Sequence, residues 1–263
     1  MTRRNAIVVT TIILLLFGVP LVLLFILAFG GPWRFPQLFP SGPTLRAWEY
    51  LARRAGAVFG ALGNTIFYSL TTVVTTTILC LSPARILARE EFKGRLVVET
   101  LLLAPALVPP IVFAVGLQIV FIRLALIDTF AGVVIVMTMY AYPYMLRALI
   151  AGFRTVSPHY DAAAANLGAN VITRMLRIQL PMLGPALLSG GFIVFLVSFS
   201  EYFLVFIVGG GNVASFPMLL VPFLAGADRA VAAALTMIFL AVPLILFFCA
   251  DLLVRRSYRK RGM

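Results

Sequence analysis

The residues able to do chemistry are few, and most fall where a hydrocarbon core would surround them. Glu201 stands in an apolar run beside Ser198, Phe199, Tyr202 and Phe203. An ionisable group at that depth is costly and marks a functional site by default. Ser198 and Glu201 are three residues apart, so a continuous helix presents both on one face, a polar route suited to a cationic solute. The competing reading is a structural Glu bonded to a neighbouring helix or to a partner's arginine. Tyr140, Tyr144 and Arg147 share another helical face; the tyrosines either meet a passing solute or anchor a span end at the interface. His159, the only histidine, has no Cys or second His near it and makes a poor metal ligand. Cys80 and Cys249 lie in apolar segments as small hydrophobes. Gly209-Gly210-Gly211-Asn212 lacks the Gly-Lys-Ser/Thr of a phosphate loop, and no HExxH or Gly-x-Gly-Asp occurs. These residues give no catalytic group, no metal site and no nucleotide site on this chain.

The elements that hold them are membrane spans. Of 263 residues, 62% are hydrophobic and 11% charged, with a mean hydropathy of +1.06. A soluble domain of this size needs more polar surface than that. The net charge of +12 lies mostly beside apolar runs, with no basic cluster and interleaved aromatics outside them, which excludes a nucleic-acid reader. Apolar segments fall at about 6–29, 59–83, 96–122, 129–150, 184–208 and 230–254. All are taken as helices, because a lone segment in lipid must satisfy its own backbone. The first is too long for a cleaved signal and reads as a retained anchor. The third contains Pro105, Pro109 and Pro110, which predicts a break and a place inside the bundle, where neighbours satisfy the freed carbonyls. Fifteen of the 21 Lys and Arg fall on the side of the termini and six on the other, which places both termini in the cytoplasm. The outer Arg46–Arg54 stretch, with Trp48 and Tyr50, predicts a short interfacial helix. The fold class is therefore all-α: a polytopic membrane protein with six transmembrane helices.

The longest cytoplasmic segment, between the fourth and fifth spans, carries the strongest local signals. Ser157 followed by Pro158 is an N-cap hydroxyl and a proline at the first helical position. Asp161 suits the positive end of the helix dipole, the run 162–165 is all alanine, and Gly168 ends the helix in a left-handed conformation. A second segment spaces Ile172, Met175, Leu176 and Ile178 for an apolar face, and Pro181 closes it.

The pattern "DAAAANLGA" followed by "IQLP", with Gly168 and Pro181 thirteen apart, resembles the EAA loop of binding-protein-dependent ABC importer permeases. In that pattern the leading Glu falls on Ala162, with Asp161 one place earlier. "SFSEYFLVFIVGG" and the single span before the core resemble the second permease of spermidine/putrescine-type systems. The resemblance covers nearly all of 59–256 and implies a type I ABC importer permease fold: an N-terminal helix and external loop over 1–58, a transmembrane core over 59–256 and a basic tail over 257–263. The core's coupling loop, 151–183, would offer Ser157, His159, Tyr160, Asp161, Ala162, Ala163, Gly168 and Pro181 to an ATPase, while Glu201, Ser198, Tyr140 and Tyr144 would line the solute path. It also implies a multi-pass protein of the bacterial inner membrane, a second permease subunit in a heterodimer, two ATP-binding subunits that hold ATP and Mg, and an external solute-binding protein. A polyamine is the expected cargo, with phosphonate, iron or thiamine as alternatives. A channel or proton-coupled carrier is the rival from another class, and would need more intramembrane charges or an inverted repeat.

Overall fold

In the computed structural model, the described residues are 3–31, 33, 41–226 and 228–260; Arg34 and Arg261 of the charge count lie outside them. In chain order the elements are α1 (Arg3–Phe29), α2 (Arg46–Arg53), α3 (Ala55–Arg89), α4 (Arg95–Leu103), a 3-10 turn (Ala104–Leu107), α5 (Pro110–Arg123), α6 (Phe130–Thr155), α7 (Pro158–Asn166) and α8 (Val171–Arg174). A π-helical turn (Met175–Gln179) then leads to α9 (Leu180–Met182), α10 (Gly184–Ser200), α11 (Phe203–Gly209), α12 (Phe216–Ala225) and α13 (Arg229–Lys260). Four of these helices are long and apolar enough to cross a membrane, and the number rises to six if each of two sharply bent pairs is one span. The all-α polytopic expectation holds, and the short helix expected at Arg46–Arg54 is α2.

The chain divides into two compact units, residues 1–61 with 218–245 and residues 62–217 with 246–263. In the first, the exit of α1 is held by ring contacts, Phe25 to Phe29 at 4.7 Å and Phe29 to Trp48 at 5.3 Å. The Gly31 amide donates to Gly42 O at 2.7 Å, and Thr44 donates to Phe29 O at 2.8 Å. Arg46, at the start of α2, reaches Asp228 with both guanidinium nitrogens, at 2.9 and 2.7 Å. Asp228 also accepts from the Val231 amide at 3.3 Å, so one carboxylate closes a bidentate pair and caps α13.

The second unit is built on α6. A helix of 35 residues such as α3 is about 50 Å long, against about 30 Å of hydrocarbon. It is therefore longer than one crossing needs, and its last turns carry Arg85 and Arg89. Within the span its threonines are accommodated by donating to the preceding turn, Thr72 to Tyr68 O and Thr77 to Val73 O. Thr75 and Thr138 then join α3 to α6 by a hydroxyl pair at 2.7 Å. Small residues set the α6–α10 contact. A methyl placed on Gly190 would stand 2.7 Å from Ala148 Cβ, and one on Gly152 would stand 2.5 Å from Ala186 Cβ. Where water gives no driving force, such close backbone approach is what packs helices together. Around it lie the buried Met145, Leu149 and Phe153 of α6, Cys80 and Leu87 of α3, and Val194 of α10.

The proline-rich span breaks as expected. Val108 is extended ahead of Pro109 (ψ 128°) and Pro109 ahead of Pro110 (ψ 139°), since a residue preceding proline is driven out of the helical region. The two halves meet at 101°. Its expected place inside the bundle is not what the structure has. Within this chain α4 buries no residue, and α5 buries only Ala114 and Phe121. The span touches α6 and α11 and leaves Leu96, Val97, Leu101, Val112 and Ile119 exposed.

The Arg46–Asp228 pair gives a pH-dependent signature. The guanidinium hydrogen bonds hold the Asp228 carboxyl below the usual carboxylate range. A depressed acid contributes stability above its unfolded value, about 3.9, and loses it as pH falls through the folded value. Acidification should therefore speed amide exchange at the start of α2 in the wild type. Asp228→Asn should already exchange fast at neutral pH and lack the acid step; an unchanged acid step in that variant would show that the pair does not hold α2.

Candidate functional site

The loop between α6 and α10 folds as its local signals dictate. Ser157 Oγ accepts from the His159 amide at 3.4 Å, and Pro158 opens α7. At the other end the Gly168 amide donates to Ala165 O and the Ala169 amide to Ala164 O, both at 3.0 Å. That paired closure needs a left-handed residue, and Gly168 has φ +83°. Asn170 then caps α8 by accepting from the Thr173 amide at 2.8 Å. Pro181 falls inside α9, just before a 77° bend into α10.

Asp161 is the centre of this loop, and it faces inward. Its side chain is 11% exposed and forms ion pairs with Arg85 at 2.8 Å and Arg174 at 3.2 Å. Its second oxygen accepts from Gln179 Nε2 at 2.8 Å. One carboxylate thus ties the end of α3 to α7, α8 and the π turn. With its oxygens engaged within the chain, Asp161 offers no free charge to a partner. Ser157 and Gly168 likewise shape the helix at its two ends. The outward face of α7 carries His159, Tyr160, Ala162, Ala163 and Leu167, with Leu167 89% exposed. Ile172 and Leu176 continue this apolar, small-residue surface on the next segment. Arg85, Arg174 and Gln179 were not singled out from the sequence. The one usable signal was an acid in a loop otherwise rich in arginine.

The intramembrane residues do not form the array the spacing predicts. Helix α10 ends at Ser200, and Glu201 is extended (ψ 123°). Its Oε1 accepts from the amides of Phe203 at 3.0 Å and Leu204 at 3.3 Å, capping α11. Ser198 and Glu201 therefore do not lie along one continuous helix, and one oxygen of the carboxylate is taken by backbone donors. Ser198 is fully buried, with no hydrogen-bond partner for its hydroxyl. Tyr140 is buried, with its ring 5.6 Å from Phe113, while Tyr144 lines a chamber with Arg147. Among the described residues no cluster of His, Cys, Asp or Glu could hold a metal.

The family described as "Binding-protein-dependent transport system inner membrane component" matches residues 83–261. The molybdenum transport system permease protein ModB of Mycobacterium tuberculosis is 31% identical, over 61% of this chain and 76% of that protein. The molybdate/tungstate transport system permease protein WtpB of Thermococcus kodakarensis is 28% identical, over 57% of this chain and 61% of that protein. In fold, the chain is similar to a bacterial ABC transporter involved in import of the acidic polysaccharide alginate, with a TM-score of 0.72 and 18% identity over 95% of this chain and 97% of that one. The two relatives are not polyamine permeases, so the spermidine/putrescine likeness is not supported.

Two outcomes follow from these contacts. Asp161→Ala should loosen α7 and α8 by about 3 kcal/mol, the cost of leaving buried charges unpaired. A double-mutant cycle with Arg85→Ala, read by amide-exchange protection of 158–174, should show strong coupling; additivity would dissolve the pairing. Glu201→Gln keeps an acceptor for the α11 amides and should leave thermal stability nearly unchanged, whereas Glu201→Ala should cost about 1 kcal/mol. Equal stability of the two variants would remove the capping role.

Proposed function

We propose, from the premise that this chain belongs to the family of binding-protein-dependent transport system inner membrane components, that it forms half of the path by which a small tetrahedral oxyanion of the molybdate or tungstate kind is imported. It is a multi-pass inner-membrane transport component. The observation that carries the coupling part of the reading is the Asp161 hub. Three strands of contact converge on one carboxylate, so a push on α7 is passed to α3 and to the base of α10 as one body. In this reading α7 docks on an ATP-binding subunit through Tyr160, Ala162, Ala163 and Leu167. Its small side chains let the partner's backbone come close. ATP and Mg are held by that partner, of which two copies serve a pair of permeases, and an external binding protein delivers the solute. Both termini face the cytoplasm, on the side that carries most of the arginines.

The names of the two relatives support an oxyanion over a polyamine, and so does the chemistry of this chain. Glu201, the acid that would attract a cation, has one oxygen committed to capping α11.

Cells expressing the wild-type chain with its ATPase, second permease and binding protein should accumulate labelled molybdate, with tungstate competing. Ala163→Arg keeps the α7 backbone but places a long cation on the docking face, and should abolish both co-purification of the ATPase and uptake. Intact assembly and uptake in Ala163→Arg would remove α7 as the docking element. Uptake of spermidine and not of molybdate would overturn the oxyanion.

A further inference from the structure

One side chain used by neither the coupling loop nor the core is Arg147. It lies on α6 about two turns before the end of the helix, and it lines a chamber of about 220 Å³ together with Thr100, Leu103, Leu107, Pro143 and Tyr144. Among the described residues no carboxylate is within ion-pair distance of it. Glu99, the acid on the facing helix α4, neither lines the chamber nor pairs with it. Such a space holds roughly seven waters at about 30 Å³ each, room for one small ion with part of its shell and too little for a drug-sized ligand.

The wall opposite α6 is the broken span. The chamber meets the end of α4 and the 3-10 turn where that span gives up its helix. Irregular backbone at membrane depth persists only where it is buried in protein or lines a wet cavity, and discontinuous helices mark solute sites in transporters of other folds. Arg147 is exposed near the end of its span, with no carboxylate among the described residues to take up its charge. Arginine's fixed fork of five donors, with the Tyr144 hydroxyl beside it, matches the oxygens of a tetrahedral anion. Thr100 adds acceptor character only, because its proton already goes to Leu96 O at 2.8 Å.

We infer that this chamber is an anion-binding station on the solute path, with Arg147 and Tyr144 as the groups that meet a small tetrahedral oxyanion. It rests on the oxyanion reading of the function and adds the residues that recognise the charge. A phosphate headgroup presents the same chemistry, so the test separates the two sources. The full assembly, placed in nanodiscs of phosphatidylcholine alone and without binding protein, is titrated with labelled molybdate.

Arg147→Gln should weaken binding by about tenfold or more, the usual loss of a charge-assisted contact. Arg147→Lys keeps the charge without the fork and should fall between. Arg123→Gln, at the far end of α5, should match the wild type. Molybdate binding by Arg147→Gln within about twofold of wild type would overturn the station while leaving the import reading intact. So would unchanged molybdate binding joined to a stimulation by phosphatidylglycerol that vanishes in Arg147→Gln, which would assign the chamber to lipid. A wild-type assembly that neither binds nor imports molybdate, tungstate or sulfate would overturn the oxyanion reading, and the station with it.

Discussion

The contact on which the loop between α6 and α10 depends is the Asp161 carboxylate held between Arg85 and Arg174, with Gln179 on its other oxygen. Each partner comes from a different segment: the end of α3, the end of α8 and the π turn that leads to α10. A short helix of nine residues is marginal in water by itself. Its end caps hold its shape, and the buried charge cluster holds its position. Buried ion pairs add little net stability compared with apolar packing, yet breaking one is expensive. Such a cluster therefore selects one arrangement of the loop, which a mechanical linkage requires.

The same economy of means appears inside the membrane. Close approach of α6 and α10 is set by glycines facing alanines, and the threonines of α3 return their protons to their own helix. The result is a core whose polar groups are mostly satisfied locally. Two spans are interrupted, one by consecutive prolines and the other near Glu201. At the first interruption the freed wall lines a chamber. At the second a carboxylate replaces the missing turn by accepting two amides.

The spans, the proline break, the Ser157–Pro158 start and the Gly168 stop were legible in the sequence because each arises from neighbours within one or two turns. Hydropathy, capping and left-handed glycine are local physics. The partners of Asp161 were not legible. Arg85 lies 76 residues away, and nothing in its own neighbourhood distinguishes it from the other arginines that flank the spans. The break at Glu201 was hidden for the opposite reason. No glycine or proline interrupts 198–206, so the apolar run reads as one helix and Glu201 as a charge projecting from it. Only the backbone reveals that the carboxylate is turned to the next helix start.

That reversal carries the charge logic of the path. A carboxylate pointing into a bundle favours a cation, but the charge of one that caps a following helix is partly offset by that helix's dipole. Besides Glu201, Arg147 is a charge of the second unit that lines a cavity with no ion-pair partner among the described residues. Attraction must be weak enough for release, and one guanidinium in a small chamber beside the break meets that condition better than a dedicated cage of several cations would. The permease is left to lower the barrier for a charge crossing hydrocarbon. An unpaired arginine and a broken helix are consistent with a division in which the chain supplies passage and coupling and leaves tight recognition to its partner.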